Sequence, residues 1–311
     1  MRRFLGVSAV LAIAIAGFGA GPAAAETPLC VGPFSQKTLF SEQGSMESIT
    51  VGGGGSLYVS GVDLDGTGSA IYSYTHRGPK KVHITSGPDG PGGLAWAGRD
   101  LLWGYGNLLT TGITGDLDPM AGLNRVNLRS GRKTLISNHL GMANGIARGK
   151  DGSIFASNAA GTKLDRITPD GETENGWATL QGANGLAVGK NGRYLFANQM
   201  TVTPSSIAKI DTRDPSKVHT YFVNPDGTNV FFDGLARDDK NNLYAAVFSR
   251  GEVWKITPER EACVVASGLS QTSAVAISFA KKGYRWGNLY AVGFDGNIVQ
   301  VKNAVAARVP D

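Results

Sequence analysis

The chain of 311 residues is poor in charged side chains, in cysteine and in histidine, and each shortage excludes a class of protein. Charged residues make up 18% of the sequence, and no segment concentrates lysine or arginine as nucleic-acid binding requires, so no nucleic-acid partner is expected. The four histidines and two cysteines do not show the spacing of a zinc site. No Gly-x-Ser-x-Gly motif is present, so no serine nucleophile of that type is predicted.

The one long apolar run lies at the amino terminus and is typical of a secretory signal peptide. The basic start Arg2-Arg3 is followed by the apolar residues 4–20 and then by three small alanines. This pattern predicts cleavage after Ala25 and a single mature domain, residues 26–311, that is secreted or periplasmic and has no membrane span. A membrane anchor is the alternative, but the run is short, rich in glycine and alanine, and followed at once by a cleavage pattern.

Glycine is abundant, with 44 residues and no collagen-like period, which is typical of many tight turns between short strands. Residues 143–158 show such a pattern: a short apolar strand, a Lys-Asp-Gly turn and a second apolar strand. Residues 183–198 repeat it closely, and residues 232–246 give a third copy. Further copies begin near residues 46, 91 and 273.

Each of the six copies opens with one residue, called its marker, near the start of the first strand. The markers lie 40 to 52 residues apart and are Glu47, Gly92, Asn144, Asn184, Asp233 and Ser273. Segments of alternating polarity supply a third strand to each copy, and five copies are followed by a fourth strand. Repeats of this length made of short strands predict an all-β fold, a six-bladed β-propeller of four-stranded blades.

The missing fourth strand of the last blade is predicted near the amino terminus. Residues 37–40 share the Lys-Thr-Leu pattern of the fourth strand at 133–136, and they would complete the last blade and close the ring without open sheet edges. Cys30 precedes this strand, and Cys263 lies on the outer strand of the fifth blade. In an exported chain these cysteines predict one disulfide that pins the closure, whereas two buried thiols are expected if the chain is not exported.

The first strand of each propeller blade lines the central channel, so the markers should form a ring at one mouth. Four of them carry the oxygen donors that a hard cation needs: Glu47, Asn144, Asn184 and Asp233. We therefore predict one divalent cation, with Ca²⁺ favoured and Mn²⁺, Mg²⁺ or Zn²⁺ as alternatives. Each Asn-Gly or Asp-Gly pair alone is commonly a turn, but turns do not explain four oxygen donors in one register. A cation would also relieve the repulsion between two carboxylates.

Other residues are expected at the same mouth. The connection 105–121 in the second blade forms either a lid that selects substrate or a surface loop without a role. His139 is expected in a loop entering the mouth, where it either transfers protons or is an ordinary loop histidine. Asn158, Asn198 and Gln199 end second strands, where they either support the site or cap the strands.

The repeated motifs resemble the senescence marker protein/gluconolactonase (regucalcin-like) family, relatives of the paraoxonases. The similarity is most specific from about Met142 to Pro258, in the motifs at 144–145, 184–186, 233–235, 242–246 and 251–256. It implies a six-bladed propeller with one catalytic divalent cation that hydrolyses lactones or related esters. By position, it implies that Glu47, Asn184 and Asp233 are metal ligands. Asn144 would lie beside the metal and contact substrate or water, and Asp233 would also act as general base.

Three positions depart from the family pattern. Sugar-lactone members carry an arginine two residues before the position of Asn144, where this chain has Met142. Ser48-Ile49 follow Glu47 in place of the usual Gly-Pro, and Gly234 offers only backbone where paraoxonases have a further ligand. A less polar lactone or ester therefore fits as well as a sugar acid lactone.

The predicted function is that of an exported, monomeric, metal-dependent hydrolase that acts on a small lactone or ester. The alternative is a non-catalytic extracellular propeller that binds a ligand or a protein partner and whose cation is structural. Two carboxylates at the channel mouth favour the hydrolase, because a binding module does not need them.

Overall fold

Six four-stranded antiparallel sheets make up the described part of the chain in a computed structural model that covers residues 26–63, 68–76 and 80–310. The predicted signal peptide, residues 1–25, lies outside the described residues. Each sheet is one blade of a propeller, and in five of the six blades the order of strands follows the chain. The predicted fold class, a six-bladed β-propeller, is therefore confirmed.

The strands and helices follow in chain order. The first strand, β1 (Ser35–Phe40), precedes blade 1, which contains β2 (Met46–Val51), β3 (Leu57–Val62), β4 (Ser69–Tyr74) and β5 (Lys81–Gly87). Blade 2 contains β6 (Pro91–Ala97), β7 (Asp100–Tyr105), the helix α1 (Leu109–Gly115), β8 (Ala121–Val126) and β9 (Lys133–Leu140). Blade 3 contains β10 (Ile146–Arg148), β11 (Ile154–Ser157), β12 (Lys163–Ile167) and β13 (Thr173–Thr179).

The remaining blades repeat this order. Blade 4 contains β14 (Ala183–Val188), β15 (Tyr194–Gln199), β16 (Ser206–Asp211) and β17 (Asp214–Val223). Blade 5 contains β18 (Phe232–Arg237), β19 (Leu243–Val247), a 3₁₀ turn (Phe248–Arg250), β20 (Glu252–Ile256) and β21 (Ala262–Ala266). Blade 6 contains β22 (Thr272–Ile277), β23 (Leu289–Gly293) and β24 (Ile298–Lys302), and a 3₁₀ turn (Ala304–Ala306) follows.

The core lies between neighbouring blades, because each sheet buries both faces of its middle strands. The second strands β11, β19 and β23 are buried along their whole length, whereas the outer strands β5 and β9 are largely exposed. Between blades 4 and 5, Phe232 packs edge to face on Trp254, with ring centroids 5.5 Å apart. Aromatic pairs of this kind add stabilisation to the burial of their area.

The ring is closed as predicted. β1 pairs with β24, with Lys37 opposite Gln300, and so becomes the fourth strand of blade 6. Just before β1, Cys30 forms a disulfide with Cys263 on β21, and their Cα atoms are 4.9 Å apart. The amino-terminal segment is thereby tied to blade 6 by a β-ladder and to blade 5 by a covalent bond.

Two local expectations are corrected. His139 lies on the exposed strand β9, which continues to Leu140, and not in a loop. The first strand of blade 3 is short, so Asn144 precedes β10 instead of opening it. The connection 105–121 contains α1, which has no side-chain cap and is held by contacts with blade 3.

In the described residues, no helix combines the length and the apolar character needed to span a bilayer.

The disulfide should stabilise the closed ring. It links residues 233 positions apart and so restricts a long loop of the unfolded chain. We expect the double variant Cys30→Ala/Cys263→Ala to lose about 2–5 kcal/mol in free energy of unfolding, measured by urea titration. A reducing agent should lower the urea midpoint of the parent but not that of the variant. Equal midpoints for the parent and the variant would contradict this role.

Candidate active site

The first strands of the blades surround a small cavity of about 70 Å³ on the propeller axis. Its lining includes the four predicted oxygen donors, Glu47, Asn144, Asn184 and Asp233, together with Ser273. Asn184 and Asp233 are buried, while Glu47 and Asn144 remain partly accessible. The structure therefore brings together the side chains that the repeat register selected, although their role as metal ligands stays a prediction.

A β-bulge accompanies the marker in five of the blades. The pairing of the first and second strands shifts register between Met46 and Ser48, between Ala183 and Leu186, and between Phe232 and Leu235. The same irregularity occurs at the markers of blades 2 and 6. An extra residue in one strand of an antiparallel pair re-aims the side chain beside it. The bulges thus give one geometric reason why the marker side chains point toward the channel instead of following the alternation of side chains along the strand.

The glycines that follow the markers are explained by close packing of the blades and not by turns. Gly145, Gly185 and Gly234 are absent from the residues with positive φ. A Cβ added at Gly185 would collide with backbone atoms of Asp233 and Leu235, and one at Gly145 would collide with the Asn184 carbonyl. Asn184-Gly185 lies within β14 and Asp233-Gly234 within β18, so the alternative interpretation as turns is wrong for these two pairs.

Side chains of second strands hold the carbonyl group of the next blade's marker. Ser60 Oγ donates to the Gly92 carbonyl at 2.7 Å, and Ser157 Oγ donates to the Asn184 carbonyl at 2.5 Å. Asn198 Nδ2 donates to the Asp233 carbonyl at 2.7 Å. Asn198 thus fixes the backbone of Asp233, and its predicted support of the site stays a prediction.

The two carboxyl groups of the cavity are uncompensated. Burial raises the pKa of Glu47 well above its usual value, the nearby Asp233 charge raises it further, and the Asn107 amide partly opposes this. Burial also raises the pKa of Asp233 to about 8, against a hydrogen bond from Asn184 that lowers it. Among the described residues, no lysine or arginine contributes to either shift. The cavity therefore lacks positive charge.

Asn107 connects two of the predicted donors, and the sequence interpretation did not single it out. Its Nδ2 donates to Glu47 Oε1 at 2.8 Å and to the Pro91 carbonyl at 3.0 Å. Its Oδ1 accepts from Asn144 Nδ2 at 3.0 Å. This bond turns the Asn144 amide nitrogen toward Asn107 and leaves the Asn144 Oδ1 for another partner. No repeat pattern marks Asn107, because it lies in the non-repeating connection of blade 2.

The same connection is fastened to blade 3. Asp116 accepts hydrogen bonds from the Thr162 backbone at 2.6 Å and from its hydroxyl at 2.8 Å. Asn158 Nδ2 donates to the Gly112 carbonyl at 2.8 Å. Asn158 therefore anchors α1 and does not line the cavity. α1 is a fixed wall beside the mouth, and Leu108, Ile113, Leu117 and Met120 are exposed on or next to it.

The remaining residues that were predicted near the mouth lie outside the cavity lining. Met142 is buried beneath α1, where a Cβ on Gly112 would meet its sulfur. Gln199 joins the strand end, donating to the Gln181 carbonyl and accepting from Ser206. His139 is exposed, and its backbone contacts Ser137 and Asn175. Neither Gln199 nor His139 lines the cavity.

The residues present fit a hard divalent cation. In the described residues, no cluster of three or more His, Cys, Asp and Glu side chains forms a metal site, so the donors must include amide oxygens. Two carboxylates and two asparagines supply oxygen atoms of the kind Ca²⁺ prefers. A cation between them would favour the charged form of both carboxyl groups, opposing the burial that raises both pKa values and the Asp233 charge that raises the pKa of Glu47 further.

Residues 155–290 match the model of a family described as the SMP-30/Gluconolactonase/LRE-like region. The matched segment contains Asn184 and Asp233, whereas Glu47 and Asn144 precede it. The match confirms the family resemblance found in the sequence. A search of curated proteins found no match.

Several solved structures share the fold. A gluconolactonase from Xanthomonas campestris superposes with a TM-score of 0.68 at 17% identity, covering 92% of this chain and 98% of its own. A luciferin-regenerating enzyme gives 0.64 at 14% identity, covering 89% and 97%. Virginiamycin B lyase from Staphylococcus aureus gives 0.57 at 13% identity, covering 87% and 99%. These identities show the fold alone, so the chemistry has to be argued from the site.

The raised pKa of Asp233 predicts how the cation-free protein responds to pH. A carboxyl group whose pKa rises on folding binds its proton more tightly in the folded state, so stability is lost as pH rises from about 4 to about 8. In EDTA, the parent should lose free energy of unfolding relative to Asp233→Asn across this window, by at most about 1.4 kcal/mol per pH unit.

Asp211 provides the control of opposite sign. A backbone hydrogen bond from Arg213 lowers its pKa against the opposing effect of burial, and Arg193 contributes further. The parent should therefore gain stability relative to Asp211→Asn as pH rises through the acid range. A parent that gains stability relative to Asp233→Asn between pH 5 and pH 7 would contradict the assignment.

Proposed function

We propose that this chain, with its gluconolactonase-like region, is an exported hydrolase of lactones or related esters that depends on one divalent cation. The observation that carries the proposal is the convergence of Glu47, Asn144, Asn184 and Asp233 on one small cavity without a cationic side chain. Burying two carboxyl groups together is costly, and a protein keeps such a pair where a cation or a proton transfer requires it.

In this proposal Glu47, Asn184 and Asp233 hold the cation, and Ca²⁺ is the favoured ion. A bound cation polarises the acyl carbonyl and offsets negative charge on its oxygen. Asp233 accepts a proton from the attacking water as the water oxygen bonds to the acyl carbon. The acyl C–O bond then breaks, and the proton passes from Asp233 to the departing alkoxide, so a lactone yields a hydroxy acid. Asn144, oriented by Asn107, binds the substrate or the water.

The walls of the mouth support a substrate of low polarity. Met142 occupies the position of the arginine that sugar-lactone members carry, and it is buried beneath α1. Three large apolar side chains are exposed on α1 and its flank, those of Ile113, Leu117 and Met120, among the polar residues Thr110, Thr114 and Asp118. We therefore propose aliphatic lactones or esters as substrates ahead of sugar acid lactones.

Export is part of the proposal and is supported by the disulfide. Stable disulfides such as Cys30–Cys263 are typical of proteins in oxidising compartments. The signal-peptide pattern that ends at Ala25 agrees with this location. The monomeric state expected from the sequence stays a prediction.

Turnover of a lactone and ester panel tests the function directly. The parent should hydrolyse at least one aliphatic lactone, lose the activity in EDTA, and recover it with Ca²⁺, Mn²⁺, Mg²⁺ or Zn²⁺. Asp233→Asn should lower kcat/KM by about 10²–10⁴-fold, because it removes both a ligand and the base. Glu47→Gln should have a comparable effect, and Asp170→Asn, an acid outside the cavity, should have none. Parent-like rates for both site variants would favour the non-catalytic binding propeller instead.

Asn107 should act as a positioning residue for Glu47 and Asn144. We expect Asn107→Ala to lower kcat and to weaken cation affinity by about 10–100-fold, as measured by calorimetry, since residues that orient ligands have effects of this size. Asn158→Ala is the matched control, because Asn158 fixes the same connection through Gly112 and Asp116 and contacts neither Glu47 nor Asp233. That variant should change KM more than cation affinity. Unchanged cation affinity in Asn107→Ala would overturn the role.

A further inference from the structure

A loop at the end of the propeller opposite the candidate site exposes aromatic and cationic side chains together. Residues 278–288 connect β22 to β23 in blade 6. Phe279 and Trp286 are 51% and 52% exposed. Lys281, Lys282 and Arg285 lie between them and are exposed as well. Both aromatic rings therefore stay in contact with water, although large apolar side chains of this kind are usually buried.

The loop is held in one conformation. Trp286 donates its backbone N–H to the Ala280 carbonyl at 2.7 Å, and Tyr284 donates to the Gly55 carbonyl of blade 1 at 3.0 Å. Ala280 and Tyr284 are buried. A Cβ at Gly55 would collide with the Lys282 carbonyl, so the glycine turn of blade 1 fits closely beneath the loop. The buried residues fix the loop, and the exposed residues are presented outward.

Positive charge is concentrated on this side of the distal end. The sequence has no Asp or Glu between Glu261 and Asp295. The neighbouring connection of blade 1 contributes the exposed residues His76 and Lys80. The Tyr284 hydroxyl of the loop donates a hydrogen bond to the Thr75 carbonyl of that connection at 3.3 Å. By contrast, the corresponding turns of blade 5 contain acids, among them Asp239 and Glu259. Exposed cations also occur in the turns of blade 2, at Arg99, Arg129 and Arg132, but the cations of blade 6 are the ones that flank two exposed aromatic rings.

We propose that the loop 279–286 docks this protein on an anionic lipid surface. Aromatic side chains, tryptophan above all, favour the membrane–water interface, and lysine and arginine are attracted to anionic headgroups. A soluble polyanion would require only the cations, so the two exposed rings favour lipid. Six-residue strands separate the loop from the mouth by about 20 Å. Docking by this end would leave the candidate site facing away from the membrane and open to substrate.

Vesicle binding tests the proposal. The purified protein should co-sediment with vesicles of phosphatidylglycerol and phosphatidylcholine but not with vesicles of phosphatidylcholine alone. The triple variant Lys281→Gln/Lys282→Gln/Arg285→Gln should bind about 100-fold more weakly, since each cation near the surface contributes about a fivefold change. The double variant Phe279→Ser/Trp286→Ser should also weaken binding, by about tenfold or more. Brominated lipid should quench parent fluorescence, and Trp286→Phe should remove that quenching.

A second triple variant controls for net charge. Lys150, Lys190 and Lys240 are exposed in the turns of blades 3, 4 and 5 at the same end of the propeller. Lys150→Gln/Lys190→Gln/Lys240→Gln removes equal charge away from the aromatic rings, so it should bind nearly as the parent does. All substituted side chains are exposed, and each variant should keep the thermal midpoint of the parent.

Three outcomes would overturn the proposal. The first is absence of binding by the parent to vesicles containing phosphatidylglycerol. The second is an equal loss of binding in the two triple variants, which would show a net-charge effect. The third is charge-dependent binding that does not need Phe279 and Trp286 and that soluble polyphosphate competes away, which would assign the loop to a soluble polyanion.

Discussion

Hydrogen bonds from one blade to the opening residues of the next hold the central ring together, and the candidate site depends on them. Ser157 fixes the carbonyl of Asn184, and Asn198 fixes that of Asp233. Glycine after the marker lets these strands approach closely, and the β-bulge beside it turns the marker side chain toward the axis. Channel geometry and donor geometry are thus set by the same contacts.

This arrangement holds the carboxyl groups of Glu47 and Asp233 together in one cavity, which is unfavourable in the protein without a cation. Asp233 is buried and Glu47 is only partly accessible, and among the described residues no basic side chain contributes to either pKa shift. An unfavourable local arrangement such as this one persists only where many surrounding contacts hold the residues in place. Here the six packed blades, and the disulfide beside the closing strand, hold the two carboxyl groups in place. A rigid ring can keep two unfavourable groups in place, whereas a flexible loop would separate them.

The two ends of the propeller have different surfaces. At the mouth, α1 and its flanking residues expose several large apolar side chains and are fastened to blade 3 by Asp116 and Asn158. At the distal end, Trp286 and its cationic neighbours project from a loop fastened to blade 1. Both features interrupt the repeat, the first between second and third strands and the second between first and second strands. Insertions at loops of a rigid scaffold can change function without altering the core.

The sequence by itself determined the propeller, the identity of the markers, the closing strand at 37–40 and the pairing of Cys30 with Cys263. The propeller, the markers and the closing strand follow from a pattern that the chain repeats six times, and the disulfide follows from the presence of only two cysteines in a chain with a signal-peptide pattern. Only the tertiary structure decided that Asn107 links Glu47 to Asn144, that the marker glycines serve close packing, and that His139 lies on an outer strand away from the cavity. The contacts of Asn107 join a non-repeating connection to two markers that lie 37 and 60 positions away in the chain. Side-chain contacts of this kind have no period in the sequence, and they exist only once the blades are packed around their common axis.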